Sequence, residues 1–288
     1  CIVLQPEKRP EMMSEETLFR GQGTRDTATI ADIPWRSLFP DQHLVALIDE
    51  AIRNNPDMQV AMARVNKAEA TLQQSRSAFF PTLGANAGAT FQEVGKSGVT
   101  KEYQLLGSSS WEADVWGKLR NTKRASLNLF LESEAYKRAV QTKLVADVAD
   151  TYYTLLALDA KLHVTEKTVE FRNSDVETMK VMKENDMVTG ADLVQSQANL
   201  FSAKVTIPDI RQSIYEAENA LSVLLGRNPG PVERDSLSGQ KIPENLNSGI
   251  PAQLLANRPD VREAEYHLRY GYEMTNAARK YFYPSLTI

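Results

Sequence analysis

The chain has 288 residues, of which 42% are hydrophobic and 24% charged, with a formal net charge of −4 and one cysteine. This balance suits one large folded domain or two ordinary ones, and it excludes both a basic nucleic-acid footprint and an intrachain disulfide framework. No hydrophobic run approaches the roughly 20 residues of a membrane helix, which leaves β-barrel strands open, because their alternation is invisible to averaged hydropathy.

The sequence begins at Cys1 rather than at methionine, which points to processing. Lipidation of Cys1 is the sharper expectation, since a mature bacterial lipoprotein begins at an acylated cysteine; the alternative is an arbitrary chain boundary. Residues 2 to 34 carry Pro6, Pro10, Pro34 and scattered charges without helical periodicity, so residues 1–40 read as an extended tether between an anchor and a folded body. Residues 41–80 read as two helices broken near Pro56, the first marked by Leu44, Leu47, Ile48, Ala51 and Ile52, the second by Met58, Ala61, Val65, Ala68 and Leu72. Ala61, Ala63, Ala68, Ala70, Ser75, Ser77 and Ala78 make the second helix rich in small residues that permit close helix approach.

After Pro81 the pattern changes period. Leu83, Ala85, Ala87, Ala89 and Phe91 alternate with Thr82, Gly84, Asn86, Gly88, Thr90 and Gln92, which predicts a strand with one apolar face. Residues 94 to 100 supply a turn. Alternation resumes from Tyr103 to Val115, with Tyr103, Leu105, Trp111, Ala113 and Val115 on one side, so residues 81–116 read as a hairpin. Strands of about 11 to 13 residues can cross a bilayer at a tilt, with Tyr103, Trp111 and Trp116 as interfacial aromatics. The same pattern would serve an amphipathic hairpin covering a soluble core. In lipid, such a hairpin has to be closed by other strands, because open edges leave backbone groups unpaired.

Residues 117–226 read as a long helical hairpin. From Lys118 to Thr189 there is neither glycine nor proline, a 72-residue stretch (189 − 118 + 1) that could run about 100 Å as one helix. Leu144, Val148, Leu155, Leu158, Leu162, Val169, Val176 and Met179 form a heptad-like seam, interrupted by Thr151, Thr165 and Arg172. Gly190 is expected to break this run. A second helix to about Leu225 continues the spacing through Leu193, Leu200, Ala203, Ile207, Ile210, Ile214, Ala217, Leu221 and Leu224, and Pro208 should bend it. Residues 227–250 form a proline- and glycine-rich linker.

Residues 251–288 then repeat the start. Asn54-Asn55-Pro56-Asp57 returns as Asn257-Arg258-Pro259-Asp260, 203 positions on (257 − 54), and Ala78 to Leu83 aligns with Tyr281 to Leu286 at the same offset. A duplicated unit of helix, helix, strand, strand, long helix and shorter helix explains this, with the second copy only begun before Ile288. His43, His163 and His267 stand far apart, and no phosphate loop or nucleophile elbow occurs, so neither a catalytic nor a metal-binding residue is assigned.

Several stretches occur together in order. They are Cys1 with Arg9-Pro10; Trp35, Leu38 and Phe39; Trp111-Glu112-Ala113-Asp114-Val115-Trp116-Gly117; Val188-Thr189-Gly190-Ala191-Asp192-Leu193; Leu224 to Arg227; and Asn257 to Asp260. In this order and spacing the chain resembles the outer-membrane factor, or TolC-like, channels of tripartite efflux systems, in their NodT-type lipoprotein branch. The resemblance implies a mainly α fold with a β-hairpin: long antiparallel coiled-coil helices plus transmembrane β-barrel strands, the N-terminal repeat of a two-repeat architecture. It implies a homotrimer in the bacterial outer membrane, with most of each chain in the periplasm, each subunit giving four strands to one barrel and four helical stretches to a tunnel. Passage would need no cofactor and no chemistry. The implied partners are outer-membrane lipid, a periplasmic adaptor (membrane fusion) protein and an inner-membrane pump of the resistance-nodulation-division type. Val188, Thr189, Gly190, Ala191, Asp192 and Leu193 would form the tip that meets the adaptor, and Leu83, Ala85, Ala87, Ala89, Phe91, Leu105, Trp111 and Ala113 would face the membrane. The gate of such channels lies mainly on the second repeat, so no gate residue is named. The rival class is a lipid-anchored periplasmic adaptor or coiled-coil scaffold, which would need a compact β-rich domain and leaves the repeat without explanation.

Overall fold

Pro56 divides the first helical segment, as its missing amide hydrogen requires. Helix α2 (Gln42–Asn54) follows a single turn, α1 (Trp35–Leu38), and α3 (Pro56–Ser77) begins on the proline. Asn55 fills the corner between them: its side-chain oxygen accepts from the amides of Asp57 and Met58 at 2.8 and 3.2 Å, capping α3. The computed structural model describes residues 34–93, 99–240 and 257–288; the expectations for Cys1, the tether up to residue 33, Arg9-Pro10, the turn at 94–98 and the linker residues 241–256 lie outside the described residues.

Strands β1 (Thr82–Glu93) and β2 (Val99–Ser110) pair antiparallel from Thr82 opposite Ser110 to Glu93 opposite Val99. A short β3 (Glu112–Ala113) leads into α4 (Lys118–Glu184), which is followed by α5 (Gly190–Leu225), a 3-10 turn at Leu237–Gly239, α6 (Pro259–Lys280) and β4 (Leu286–Thr287). β4 pairs with β3, making a second two-stranded ladder.

The described residues fall into two compact units, one holding residues 61–137 and 257–288, the other residues 34–60 and 138–240. In the second unit part of the seam read from the sequence is the core: Leu44, Ile48 and Ala51 of α2 pack with Leu144, Val148 and Leu155 of α4 and with Ile210, Ile214 and Leu221 of α5. Leu156 and Leu225, which the seam did not include, join them, whereas Leu158, Leu162, Val169, Met179 and Leu224 are half-buried. Burial then thins toward the α4–α5 turn, where Val176, Ser196 and Leu200 are the buried residues and Ser196 donates to Asp175 at 2.8 Å.

Two polar clusters fasten the chain after α5 to this core. Tyr152, fully buried, donates its hydroxyl to Asp41 at 2.6 Å and accepts from the Asp235 amide at 3.2 Å, while Gln240 donates to the same Asp41 oxygen at 2.9 Å. The other Asp41 oxygen caps α2 through the amides of His43 and Leu44. Burial raises the Asp41 pKa, but the hydrogen bonds from Tyr152, Gln240 and those two amides bring it below its ordinary value. Burial, then the bond to Asp41, pushes the Tyr152 phenol well above its usual range. Beside them Arg234 grips Asp159 through two nitrogens and Glu218 at 2.6 Å.

In the first unit the buried positions include Ala61, Val65, Ala68, Leu72, Ala125, Ala135 and Ala277. Of the small residues expected to allow close approach, Ala61 and Ala68 are buried, Ser75 is half-buried with its hydroxyl 2.6 Å from that of Ser126, and Ala63, Ala70, Ser77 and Ala78 are exposed. Arg64 lies 4.8 Å over the Tyr136 ring, and His267 of α6 meets Glu132 of α4 at 3.1 Å.

Candidate functional site: the strand pair and the helical-hairpin tip

The register of β1 and β2 sorts their side chains. Residues directly opposite share a face, so Leu83, Ala85, Ala87, Ala89 and Phe91 lie with Ser109, Gly107, Leu105, Tyr103 and Lys101, whereas Thr82, Asn86, Thr90 and Gln92 lie with the even-numbered residues of β2. Phe91 and Tyr103 touch edge to face at 6.1 Å on the first of these faces. Both faces are open: Leu83 is 85% and Leu105 81% exposed on the first, and Leu106 is 53% exposed on the other. A two-stranded ribbon with an uncovered apolar face has no core of its own and is marginal alone in water.

Trp111 and Ala113 sit outside this ladder, contrary to the single strand expected from Tyr103 to Val115. The partner of Ser110 is Thr82, and the residue before it is Pro81, which has no amide to extend the ladder. Trp111 instead exchanges two 2.9 Å backbone bonds with Ile288, Glu112 opposes Thr287 and Ala113 opposes Leu286. The parity survives the change of partner: Trp111, Ala113, Leu286 and Ile288 share one side, Glu112 and Thr287 the other. The Trp111 indole donates to the Phe79 carbonyl at 3.0 Å.

Asp114 starts α4, accepting from the amides of Leu119 and Arg120 at 2.9 and 3.0 Å and pairing with the Arg120 guanidinium. Gly117, at φ +81°, makes the bend before it.

At the far end of α4 the helix stops at Glu184, short of the Thr189 end expected, and Gly190 is not the break. Asp186 takes the left-handed conformation at φ +55°, and two bonds, from the Met187 amide to the Met182 carbonyl and from the Asp186 amide to the Lys183 carbonyl, close the helix in a Schellman arrangement. Aspartate tolerates that conformation better than most residues, so no glycine was needed. Thr189 is then the N-cap of α5. Its hydroxyl accepts from the Asp192 amide at 3.3 Å while Asp192 accepts from the Thr189 amide at 2.8 Å, a reciprocal capping box, and Gly190 is the first helical residue. The hydrogen bonds from the Thr189 side chain and backbone hold the Asp192 carboxyl below its ordinary pKa. Val188 and Leu193 are half-buried; Thr189, Gly190, Ala191 and Asp192 are exposed, as are Met187 and Val194. Asp186 is the residue at this turn that sequence reasoning missed, the available signal being Asn185-Asp186 ahead of the cap.

The far end of α5 closes on Gly226, at φ +66°, with the same pair of bonds from Arg227 to Ser222 and from Gly226 to Val223. Here the glycine is required twice, because a Cβ would stand 2.6 Å from the Asn54 carbonyl oxygen. Asn55 ties the corner by donating to the Leu224 carbonyl at 2.9 Å. Among the described residues no group of three or more His, Cys, Asp or Glu side chains is placed to hold a metal ion.

The described residues thus present an open strand pair with one apolar face and a long helical hairpin whose turn is capped and exposed. The structure superimposes with a TM-score of 0.84 on the open-state crystal structure of the MtrE outer membrane channel of Neisseria gonorrhoeae, at 26% identity, covering 97% of this chain and 64% of that one. The class of fold is thus that of the outer membrane channels. Residues 47–227, well over half of the chain, match the family described as Outer membrane efflux protein, and the chain belongs to that family. The probable outer membrane lipoprotein SilC of Salmonella typhimurium is 30% identical over 298 residues, covering 100% of this chain and 64% of SilC. The antibiotic efflux pump outer membrane protein ArpC of Pseudomonas putida is 30% identical over 271 residues, covering 90% of this chain and 55% of ArpC. The chain therefore spans between half and two thirds of the length of the relatives it matches. The family is one of efflux proteins, not of enzymes, and the match overturns the alternative of an adaptor or scaffold.

Proposed function

We propose that this polypeptide is part of the subunit of an outer-membrane export channel, a passive duct for drugs or other small solutes, anchored through a lipid on Cys1 and lying mostly in the periplasm. The observation that carries the reading, beside family membership, is the β1–β2 ribbon: twelve paired positions with one apolar face, both faces being exposed over residues 82–92 and 101–110. Such a ribbon fits a bilayer only as part of a closed barrel. We assign Leu83, Ala85, Ala87, Ala89, Phe91 and Leu105, with Trp111 and Ala113 at the foot, to the lipid-facing side. The remaining strands are assigned to the part of the family architecture that this sequence does not span, and to two further copies of the subunit in a homotrimer.

Residues 41–226 are read as the first structural repeat and residues 251–288 as the start of the second. This is supported by α3 and α6, which each start on a proline, run 22 residues and lead through an aromatic-proline stretch into a strand. The α4–α5 hairpin would form the periplasmic tunnel, with Val188 to Leu193 meeting a periplasmic adaptor that joins the channel to an inner-membrane pump of the resistance-nodulation-division type. The capping box supports this assignment, since it fixes an exposed turn in one conformation ready for contact. The description of SilC as a lipoprotein supports acylation of Cys1. Solute moves through water in such a duct, so the residues act by shape and charge alone.

The test is the protein purified from its native membrane, measured for intact mass, oligomeric state and single-channel conductance in planar bilayers. An acylated, detergent-dependent trimer that conducts is expected. An unacylated monomer that needs no detergent would overturn the channel reading.

A further inference from the structure

The foot of the strand pair encloses a cavity of about 220 Å³ whose walls include Glu112, Trp116, Lys118, Lys280, Tyr281 and Tyr283. Two junctions build it, the passage from β3 into α4 and the passage from α6 into β4. Its back is rigid: the Trp116 ring stacks on Tyr283 with centroids 5.1 Å apart and planes at 22°, and the indole nitrogen donates to the Pro284 carbonyl at 2.8 Å.

Two ammonium groups reach the same space. Lys118 stands 5.4 Å over the Tyr281 ring and pairs with Glu112 at 2.6 Å; Lys280 stands 6.0 Å from the Tyr283 ring, and among the described residues no carboxylate pairs with it. Asp114 also lines the cavity, but its charge is taken up by Arg120 and the first amides of α4. Two lysines against one glutamate leave a single uncompensated positive charge. Immediately beside the cavity Phe282 is 91% and Tyr281 75% exposed, and the apolar side of the second ladder, with Trp111, Ala113, Leu286 and Ile288, begins there.

We propose that this cavity binds the head group of a bilayer phospholipid, its phosphodiester held by Lys280 and Lys118 and its acyl chains continuing over Phe282 and the apolar strand face. The inference rests on the outer-membrane reading above. One net positive charge matches the single negative charge of a phosphodiester. Aromatic rings that carry lysines at their faces, beside an apolar surface, are what the boundary between head groups and hydrocarbon favours. An inorganic anion would use the lysines but would gain nothing from Phe282 or from the strand face, so the site commits to a lipid.

The experiment uses the full protein, purified in detergent, delipidated and titrated with short-chain phosphatidylglycerol while native mass spectrometry counts bound lipid. Wild-type protein should hold phosphatidylglycerol at one saturable site per subunit that the Lys118→Ala/Lys280→Ala double variant binds at least tenfold more weakly, with Lys204→Ala on α5 unchanged. Lys280→Gln, which removes no ion pair, should lose part of the affinity and keeps the test open if the double variant does not fold. Equal binding by wild type and variants overturns the site, and displacement by 10 mM inorganic phosphate overturns the commitment to lipid. Membrane fractionation separates the two readings: protein absent from the membrane fails the channel assignment, whereas membrane-resident protein without the saturable site fails only the head-group proposal.

Discussion

Replacing Gly226 by alanine attacks the corner where α5 ends against α2, and the structure supplies both parts of the expected cost. The first is conformational: φ of +66° lies in the left-handed region, where a Cβ costs about 1–2 kcal/mol. The second is steric. The new Cβ would stand 2.6 Å from the Asn54 carbonyl oxygen, backbone that cannot swing aside as a long side chain would, and the Asn55 bond to Leu224 pins the same corner. Forcing the two segments apart in a packed interior costs about 1–3 kcal/mol more. The sum is about 2–5 kcal/mol, read as the shift in denaturant unfolding of the detergent-solubilised protein. Hydrogen exchange of the Asp57 and Met58 amides, which Asn55 caps, should accelerate with it. Gly226→Asn separates the two parts, because asparagine tolerates the left-handed region but keeps the clash, so it should be milder by about 1 kcal/mol. Gly230→Ala is the control: nothing stands within 4 Å of its Cβ, so its stability should stay within about 0.5 kcal/mol of wild type or rise slightly. A Gly226→Ala protein within about 0.5 kcal/mol of wild type would refute the reasoning.

The pH dependence of stability should carry a contribution from Asp41: its pKa is lowered in the fold, so that contribution is complete above the ordinary carboxylate pKa of about 4 and is lost as pH falls through the lower folded value. Asp41→Asn should flatten the acid limb of stability measured between about pH 2 and 6, and an unchanged limb would count against the cluster. Tyr152→Phe leaves the Asp41 oxygen with Gln240 as its remaining donor, strands the Asp235 amide, and should cost about 1–3 kcal/mol in the same unfolding assay. At the tip, Thr189→Ala removes the capping box, so amide exchange at Asp192 and Leu193 should accelerate several-fold while global unfolding barely moves; equal loss of both would mean the turn is not locally stabilised. On the strand pair, Leu105→Arg places a charge on the apolar side at a cost of about 2–4 kcal/mol near a bilayer midplane, whereas Asn86→Arg lies on the other side. Membrane recovery should fall for the first and hold for the second; equal recovery would argue against the lipid-facing assignment.

Period and punctuation carried much of this protein. Pro56 marked the α2–α3 break because a proline removes the amide that would continue a helix, and of the apolar positions at spacings of three and four Leu144, Val148, Leu155, Ile210, Ile214 and Leu221 became core. Alternation after Pro81 placed Leu83 to Phe91 and Leu105 on one side, because the two-residue period of a strand leaves no other choice. The repeated Asn-x-Pro-Asp drew attention to two 22-residue helices that each begin on their proline.

Tertiary structure decided the rest. The α4–α5 turn was expected at Gly190, yet the left-handed residue is Asp186 and the cap is Thr189, because several residue types can close a helix and only the backbone path selects among them. Trp111 and Ala113 kept their parity but changed partner, since strand pairing depends on a segment some 170 positions away, at Leu286 to Ile288, that no local pattern announces. The same holds for Asp41, Tyr152 and Gln240, and for Lys118 and Lys280: distant in sequence and individually ordinary, they acquire a role only where the fold brings them to one oxygen or one cavity. Sequence alone thus determined the period, faces and order of the elements, which are local steric and solvation preferences. Where each element stops and which distant side chains meet were set by long-range packing, whose energy is shared among residues that no window of sequence contains.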